Sequence, residues 1–240
     1  MSPRSPQSAA APLPRPAALL LGPSAAGKTP LGDIIERQGL WGMAWRHFDF
    51  GARLRAYAAG DVTGAPFEGG PDRHWIREVR EILTTNALLR DDQFPIAEEV
   101  LRAFLAARDP AGTCWLLLNG LPRHAGQAEA IRPLADVRLV IRLDCDAATV
   151  AERIARDTGG DRRGRTDDGP AALAEKLNLF HRQTAPLLAH YATRGIPCSR
   201  LPVGPETTAD ELHAELARRN TPPALRRPGG SLHGPSSHDR

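Results

Sequence analysis

Five short apolar runs divide the chain: Ala17 to Leu21, Arg46 to Phe50, Thr113 to Leu118, Val137 to Leu143 and Cys198 to Val203. Several are apolar almost without a break, the pattern of strands covered on both faces rather than of a sheet with one wet side. Between them the apolar positions switch to helical spacing, most clearly at Ile96, Val100, Leu101, Phe104 and Leu105, and again at Leu173, Leu177, Phe180, Leu187, Leu188 and Tyr191. Each stripe marks the side of a helix that turns to a core. Strands alternating with amphipathic helices predict an α/β fold: a five-stranded parallel sheet with right-handed crossovers and helices on both faces. Ligands of such a sheet bind beyond the carboxyl ends of its strands. No internal repeat is visible.

Composition adds little to that fold but narrows the partners. The 240 residues are 41% hydrophobic and 25% charged, enough apolar material for one sizeable core and too many charges for a membrane or disordered chain. Aromatics make up only 5%, so the core must rely on Leu, Ala, Val and Ile. The net charge of +3 is carried by dispersed arginines, with basic runs no longer than dipeptides such as Arg162-Arg163 and Arg226-Arg227. That distribution suits small anionic ligands and argues against nucleic acid. Cys114, Cys145 and Cys198 lack CxxC spacing and are expected to be reduced, buried thiols of a cytoplasmic protein. Residues 1–16 are rich in Pro, Ala and Ser and read as a disordered leader, because the prolines would break a targeting helix. Residues 220–240, rich in Pro, Gly and Ser, read as a disordered tail. One domain, 17–219, remains between them and is taken as a monomer.

The sharpest chemistry follows the first apolar run directly. Gly22-Pro23-Ser24-Ala25-Ala26-Gly27-Lys28-Thr29 places glycines, a lysine and a hydroxyl in the spacing of a phosphate loop between strand and helix. Such a loop turns successive backbone N–H groups inward on a di- or triphosphate, at a helix N-terminus whose dipole already favours negative charge. Lys28 would reach the outer phosphates, and the Thr29 hydroxyl would bind Mg²⁺. The chain has two lysines, Lys28 and Lys176, against 29 arginines, and one of the two falls where the motif demands it. The plain alternative is a strand-to-helix turn that merely favours glycine. A GTPase switch is disfavoured, because neither lysine follows an asparagine and the guanine-reading Asn-Lys-x-Asp is absent.

A second segment, Trp115-Leu116-Leu117-Leu118-Asn119-Gly120-Leu121-Pro122-Arg123, ends a buried strand in a tight turn that releases an arginine and, four residues on, Gln127. Here the sequence resembles the adenylate kinase family of nucleoside monophosphate kinases, whose strand in this place ends in Asp-Gly-Phe-Pro-Arg followed by a glutamine. The resemblance runs from about Leu19 to Glu215. His47 to Arg55 looks like the start of that family's monophosphate-binding helix, including Gly51 and the phosphate-contacting arginine at Arg55. Glu152-Arg153-Ile154 resembles the entry to its lid and Gly164-Arg165-Thr166-Asp167-Asp168 the exit. His181 to Leu188 is close to its helix after the lid. The resemblance implies a P-loop NTPase fold with a helical monophosphate-binding region at about 51–95 and a short lid at 157–169.

It also implies Mg²⁺-dependent transfer of the γ-phosphoryl group of ATP to a nucleoside monophosphate, which requires two polyanions held in line among cations and N–H dipoles. Residues 22–29 would cradle ATP, with Arg153 against its base. Arg55 and Arg123 would grip the acceptor phosphate near Gly51 and Gly120, Gln127 would read the acceptor base, and Arg165 and Lys176 would close on the transferring group. In so arginine-rich a chain each arginine has solvated surface as its default. His47 is expected to be a packed or surface histidine, His124 has no assigned role, and Trp41, Trp45 and Trp75 are expected to pack. The departures from the family are specific. Asn119 stands where an aspartate normally holds water on Mg²⁺, and Thr-Gly-Asp appears as Phe50-Gly51-Ala52. Two carboxylates are missing, so metal affinity should be weaker unless Asp49 or Asp92 compensates. The lid's usual second arginine is Asp157, with Arg156 one place early. Gln127 leans toward AMP as acceptor, and Phe50 leans away from the usual pocket. The rival functions are a P-loop kinase of another small metabolite and a nucleotide-binding regulator with a degraded site.

Overall fold

The computed structural model describes residues 14–60, 73–85, 87–160, 170–222 and 225. β1 (Arg15–Leu21) leads through the phosphate loop into α1 (Lys28–Gln38), and β2 (Trp45–Asp49) runs directly into α2 (Phe50–Ala58). Then come α3 (Arg73–Thr85), a 3₁₀ turn at Asp91–Gln93, α4 (Phe94–Arg108), β3 (Trp115–Asn119), α5 (Ala125–Ala130) and β4 (Ala135–Asp144). The chain continues through α6 (Ala147–Arg156), α7 (Pro170–Leu179), a π-helical turn at Phe180–Thr184, α8 (Leu187–Ala192), β5 (Cys198–Pro202) and α9 (Ala209–Arg218).

The five strands form one parallel sheet in the order β2-β3-β1-β4-β5. β1 is central, so both faces of it are covered. Ala17, Leu19 and Leu21 pack against Leu54, Val79 and Leu101 on one face, while Ala18 and Leu20 meet Leu31 and Ile35 of α1 and Leu212 and Leu216 of α9 on the other. Because all strands run the same way, their carboxyl ends share one edge. The phosphate loop follows β1 there, Asp49 ends β2, and Asn119 ends β3. No described helix is long and apolar enough to cross a membrane.

Several expectations shift. β1 begins at Arg15 rather than Ala17, because Arg15 N donates to Leu134 O and its guanidinium is buried on Asp109, 3.2 Å away. The leader therefore gives up its last residues to the sheet. The tail does the same at its start: Leu225 is 1% exposed in the core beside α9, so residues 220–240 are not disordered throughout. The stripe from Leu173 to Tyr191 is one bent unit of α7, π turn and α8. Pro186 has no N–H to give and its ring crowds the preceding turn; the ladder widens just before it, with Ala185 N bonding back to Phe180 O at 2.8 Å. The thiols are free but not uniformly buried: Cys114 is buried, Cys145 half-buried, and Cys198 exposed on the edge strand β5. Trp41 and Trp45 pack edge to face with centroids 6.5 Å apart, whereas Trp75 lies against the opposite core. Residues 61–72 and 86 of the acceptor-binding stretch, and 161–169 of the lid with Arg165, lie outside the described residues.

Candidate active site at the carboxyl edge

The phosphate loop takes its shape from close packing. A Cβ at Gly22 would stand 2.9 Å from Leu143 O, and Gly27 holds the left-handed φ of 92° that turns the chain into α1. Ala25, with φ 63°, also sits in the left-handed region, bending Ser24 to Gly27 into a curve at the helix N-terminus. Lys28 folds back along this curve, its Nζ donating to Gly22 O at 2.8 Å and Pro23 O at 2.6 Å. Arg153 braces the loop from behind. Only 3% exposed, it donates to Ala25 O, Gly204 O and Thr207 O at 2.9, 2.8 and 2.7 Å. It ties the loop to the segment after β5 and is not part of the cavity wall.

A polar cluster lies beside the loop. Thr29 Oγ1 donates to Asp49 Oδ2 at 2.6 Å, and Asn119 Nδ2 lies 3.1 Å from Thr29 Oγ1, 3.2 Å from Asp49 Oδ2 and 3.3 Å from His47 Nε2. The parallel register of β2 on β3 sets Asp49 level with Asn119, which is why the two meet. His47 Nδ1 in turn is 2.8 Å from Asp33 Oδ1 on α1. The ring fits against α1 because residue 32 is glycine; a Cβ there would overlap the imidazole. His47 is therefore packed, as its sequence setting suggests, but its partners reach the site. Among the described residues no three His, Cys, Asp or Glu side chains are gathered into a metal cage, so a cation here would depend on ligands from a bound phosphate.

The phosphate loop opens into a cavity of about 640 Å³, in the range of small-molecule sites. Its lining includes Lys28 and Thr29 of the loop, Gly51, Arg55, Gly120, Arg123 and Gln127, and Lys176 on α7. Gly120 supplies φ 82° at the turn after β3, with the Leu121-Pro122 bond cis. Arg123 is partly buried, and desolvation lowers its guanidinium below the ordinary arginine value; neither it nor Arg55 has a carboxylate partner among the described residues. Gln127 is 2% exposed, accepting from Arg123 N at 2.8 Å and donating to Leu89 O at 2.9 Å. His124 reinforces the same junction, its ring capping α5 at Gln127 N and reaching Leu89 O at 3.1 Å. These bonds tie Leu89 on the apolar wall, made by Leu54, Ile82, Leu83, Leu88 and Leu89, to the arginine turn. Sequence reasoning missed Leu89 and the histidine partners; the position of His47 opposite Leu117 on a strand ending beside Asn119 was the available signal.

No family model matches the chain. Among individual proteins, an adenylate kinase of Synechococcus sp. (strain WH7803) is 31% identical over 207 residues, spanning 83% of this chain and 97% of the relative. An adenylate kinase of Hyphomonas neptunium is 31% identical over 186 residues, 74% of this chain and 85% of the relative. One of Parvibaculum lavamentivorans is 32% identical over 189 residues, 74% and 80% of the two chains. With a phosphate loop, an arginine turn and a sheet ordered 2-3-1-4-5 in the same chain, likeness of this extent means that the protein belongs to the adenylate kinase family.

Proposed function

We propose that the protein transfers the γ-phosphoryl group of ATP to a nucleoside monophosphate, with AMP the favoured acceptor. The observation that carries this reading is a single cavity lined both by the phosphate loop and by the guanidinium groups of Arg55 and Arg123, which have no carboxylate partner among the described residues. A cation buried without a counter-ion is costly unless an anion arrives to match it. That cost falls on Arg123, while Arg55 is an exposed guanidinium lining the same cleft; together they fit the dianion of a monophosphate, which each planar fork can hold through paired N–H donors.

The roles divide among the lining residues. The backbone N–H groups of residues 22–29 cradle the triphosphate, and Lys28 leaves its two carbonyls to neutralise the outer phosphates. Arg55 and Arg123 fix the acceptor phosphate in line, with Gly51 and Gly120 allowing close approach. Gln127 lies beside the acceptor base and Lys176 beside the transferring group, where Arg165 would join it. Arg153 holds the loop in shape while it fills. No side chain needs to act as a general base, since the attacking phosphate oxygen is already ionised at neutral pH. Mg²⁺ fits the oxygen-bearing cluster of Thr29, Asn119 and Asp49, and when bound it supplies charge neutralisation of the polyphosphate. Precise positioning carries the rate, because phosphoryl transfer asks for little covalent help.

The test is a coupled assay of ADP formation with ATP and Mg²⁺ across AMP, CMP, GMP and UMP, with Lys28→Ala as control. Turnover that depends on one monophosphate and disappears in Lys28→Ala supports the reading. ATP binding without turnover on any acceptor would leave the regulator reading standing instead.

A further inference from the structure

Resting on that reading, we infer that Asp49 is a metal-positioning residue that supplies the negative charge of the Mg²⁺ site, in place of a carboxylate at residue 119. The Thr29 hydroxyl sets the condition. A hydroxyl can give a lone pair to a cation only if its proton points elsewhere, and this one donates to Asp49 Oδ2 at 2.6 Å. Thr29 Oγ1 also accepts from Asn119 Nδ2 at 3.1 Å, which leaves one lone pair free. Asp49 thus orients the ligand oxygen and enriches it with electron density, as carboxylates beside ligands commonly do.

Asn119 cannot bring that charge, and its surroundings explain why an amide is accommodated there. The atom facing Asp49 Oδ2 must be a donor, because a carboxylate only accepts. The same nitrogen faces His47 Nε2, which accepts when the ring proton sits on Nδ1 and is given to Asp33. A carboxylate at 119 would meet acceptors on both sides, at Asp49 and at His47. One negative charge is compatible with this cluster, and Asp49 holds it. Asp49 Oδ1 is occupied separately, capping α2 at Ala52 N at 2.9 Å, so the carboxylate is fixed at both oxygens.

The cap is also a structural role, and the test must separate the two. Asp49→Asn keeps a good capping group at neutral charge, and Asp49→Ser does the same should the amide variant not fold. Binding of ATP to the full chain is measured by calorimetry without metal and with Mg²⁺, and binding of Mn²⁺ to the protein–ATP complex by electron paramagnetic resonance. We expect Mn²⁺ to bind the variant complex about 10- to 100-fold more weakly, with metal-free ATP bound as well as before or better. A change in Mn²⁺ affinity under about twofold, or an equal loss of ATP affinity with and without metal, would overturn the inference. If the unmodified chain binds ATP equally with and without Mg²⁺, the inference fails alone; if it binds no ATP at all, the proposed function fails with it.

Discussion

Arg123 shows what the proposed function asks of a single residue. Its guanidinium is desolvated and lacks a carboxylate partner among the described residues, so burial disfavours its charged form. Arg123→Met removes that cost while keeping an unbranched apolar stem. The melting temperature of the ligand-free protein should rise by about 2–4 °C for each kcal/mol recovered. Turnover should fall by about 10²- to 10³-fold, as for the loss of one preorganised donor. A variant melting lower than its parent would contradict this account. At this scale the sequence was partly legible. The phosphate loop of residues 22–29 was readable because its spacing is local, set by neighbours within one loop. Arg153 was not, since its position behind the loop depends on carbonyls at Gly204 and Thr207, far along the chain. The buried setting of Gln127 had the same cause, its bond to Leu89 across a turn.

Elements reveal a different limit. The strands were legible because apolar runs buried on both faces have few rivals, and their boundaries moved by one or two residues: β2 to Trp45–Asp49, β3 to Trp115–Asn119, β4 to Ala135–Asp144, β5 to Cys198–Pro202, and β1 back to Arg15, which its pair with Asp109 holds. β5 is less buried than the others: only Leu201 is buried in this edge strand, and Cys198, next to Ser199 and Arg200, is exposed. The bend at Phe180–Thr184 could not be read from periodicity alone, since the stripe continues through it; Pro186 was the clue. Helix starts are set by small polar caps, and α6 offers a test. Asp146 accepts from Thr149 N at 2.7 Å, a bond that holds its carboxyl below the usual 3.8. A carboxylate so lowered stabilises the fold fully above its unfolded value, and that contribution disappears as pH falls through the folded value. Asp146→Ala should therefore lower the melting temperature at pH 7, with the gap from the parent narrowing below about pH 4. A gap of constant size down to pH 2 would show that the charge contributes nothing.

Across the whole molecule the parallel sheet sorts its residues by end. The phosphate loop, Asp49, Arg55, Asn119, Arg123 and Gln127 lie at the carboxyl edge, after β1, β2 and β3, whereas the buried pair of Arg15 and Asp109 lies at the amino end, joining the start of β1 to the end of α4. Asp109 also accepts from Thr113 N and Cys114 N, so it organises the entry to β3. Arg15→Met strands that carboxylate in the interior and should cost about 3–5 kcal/mol, read as a lower denaturant midpoint. A loss below about 1 kcal/mol would mean that the pair is solvated after all. The global topology was legible because alternation of strand and helix leaves few arrangements. The return of Leu225 to the core was not, as one leucine among prolines carries no periodic signal.

The pair at the amino end has a consequence for how this protein tolerates change. Injury at that end diminishes the quantity of intact molecules, while injury to the guanidinium groups lining the cavity, Arg55 and Arg123, which carry the proposed function, impairs each molecule and spares its abundance. A survey of random variants should accordingly fall into two populations, one scarce but fully competent and the other plentiful but impaired.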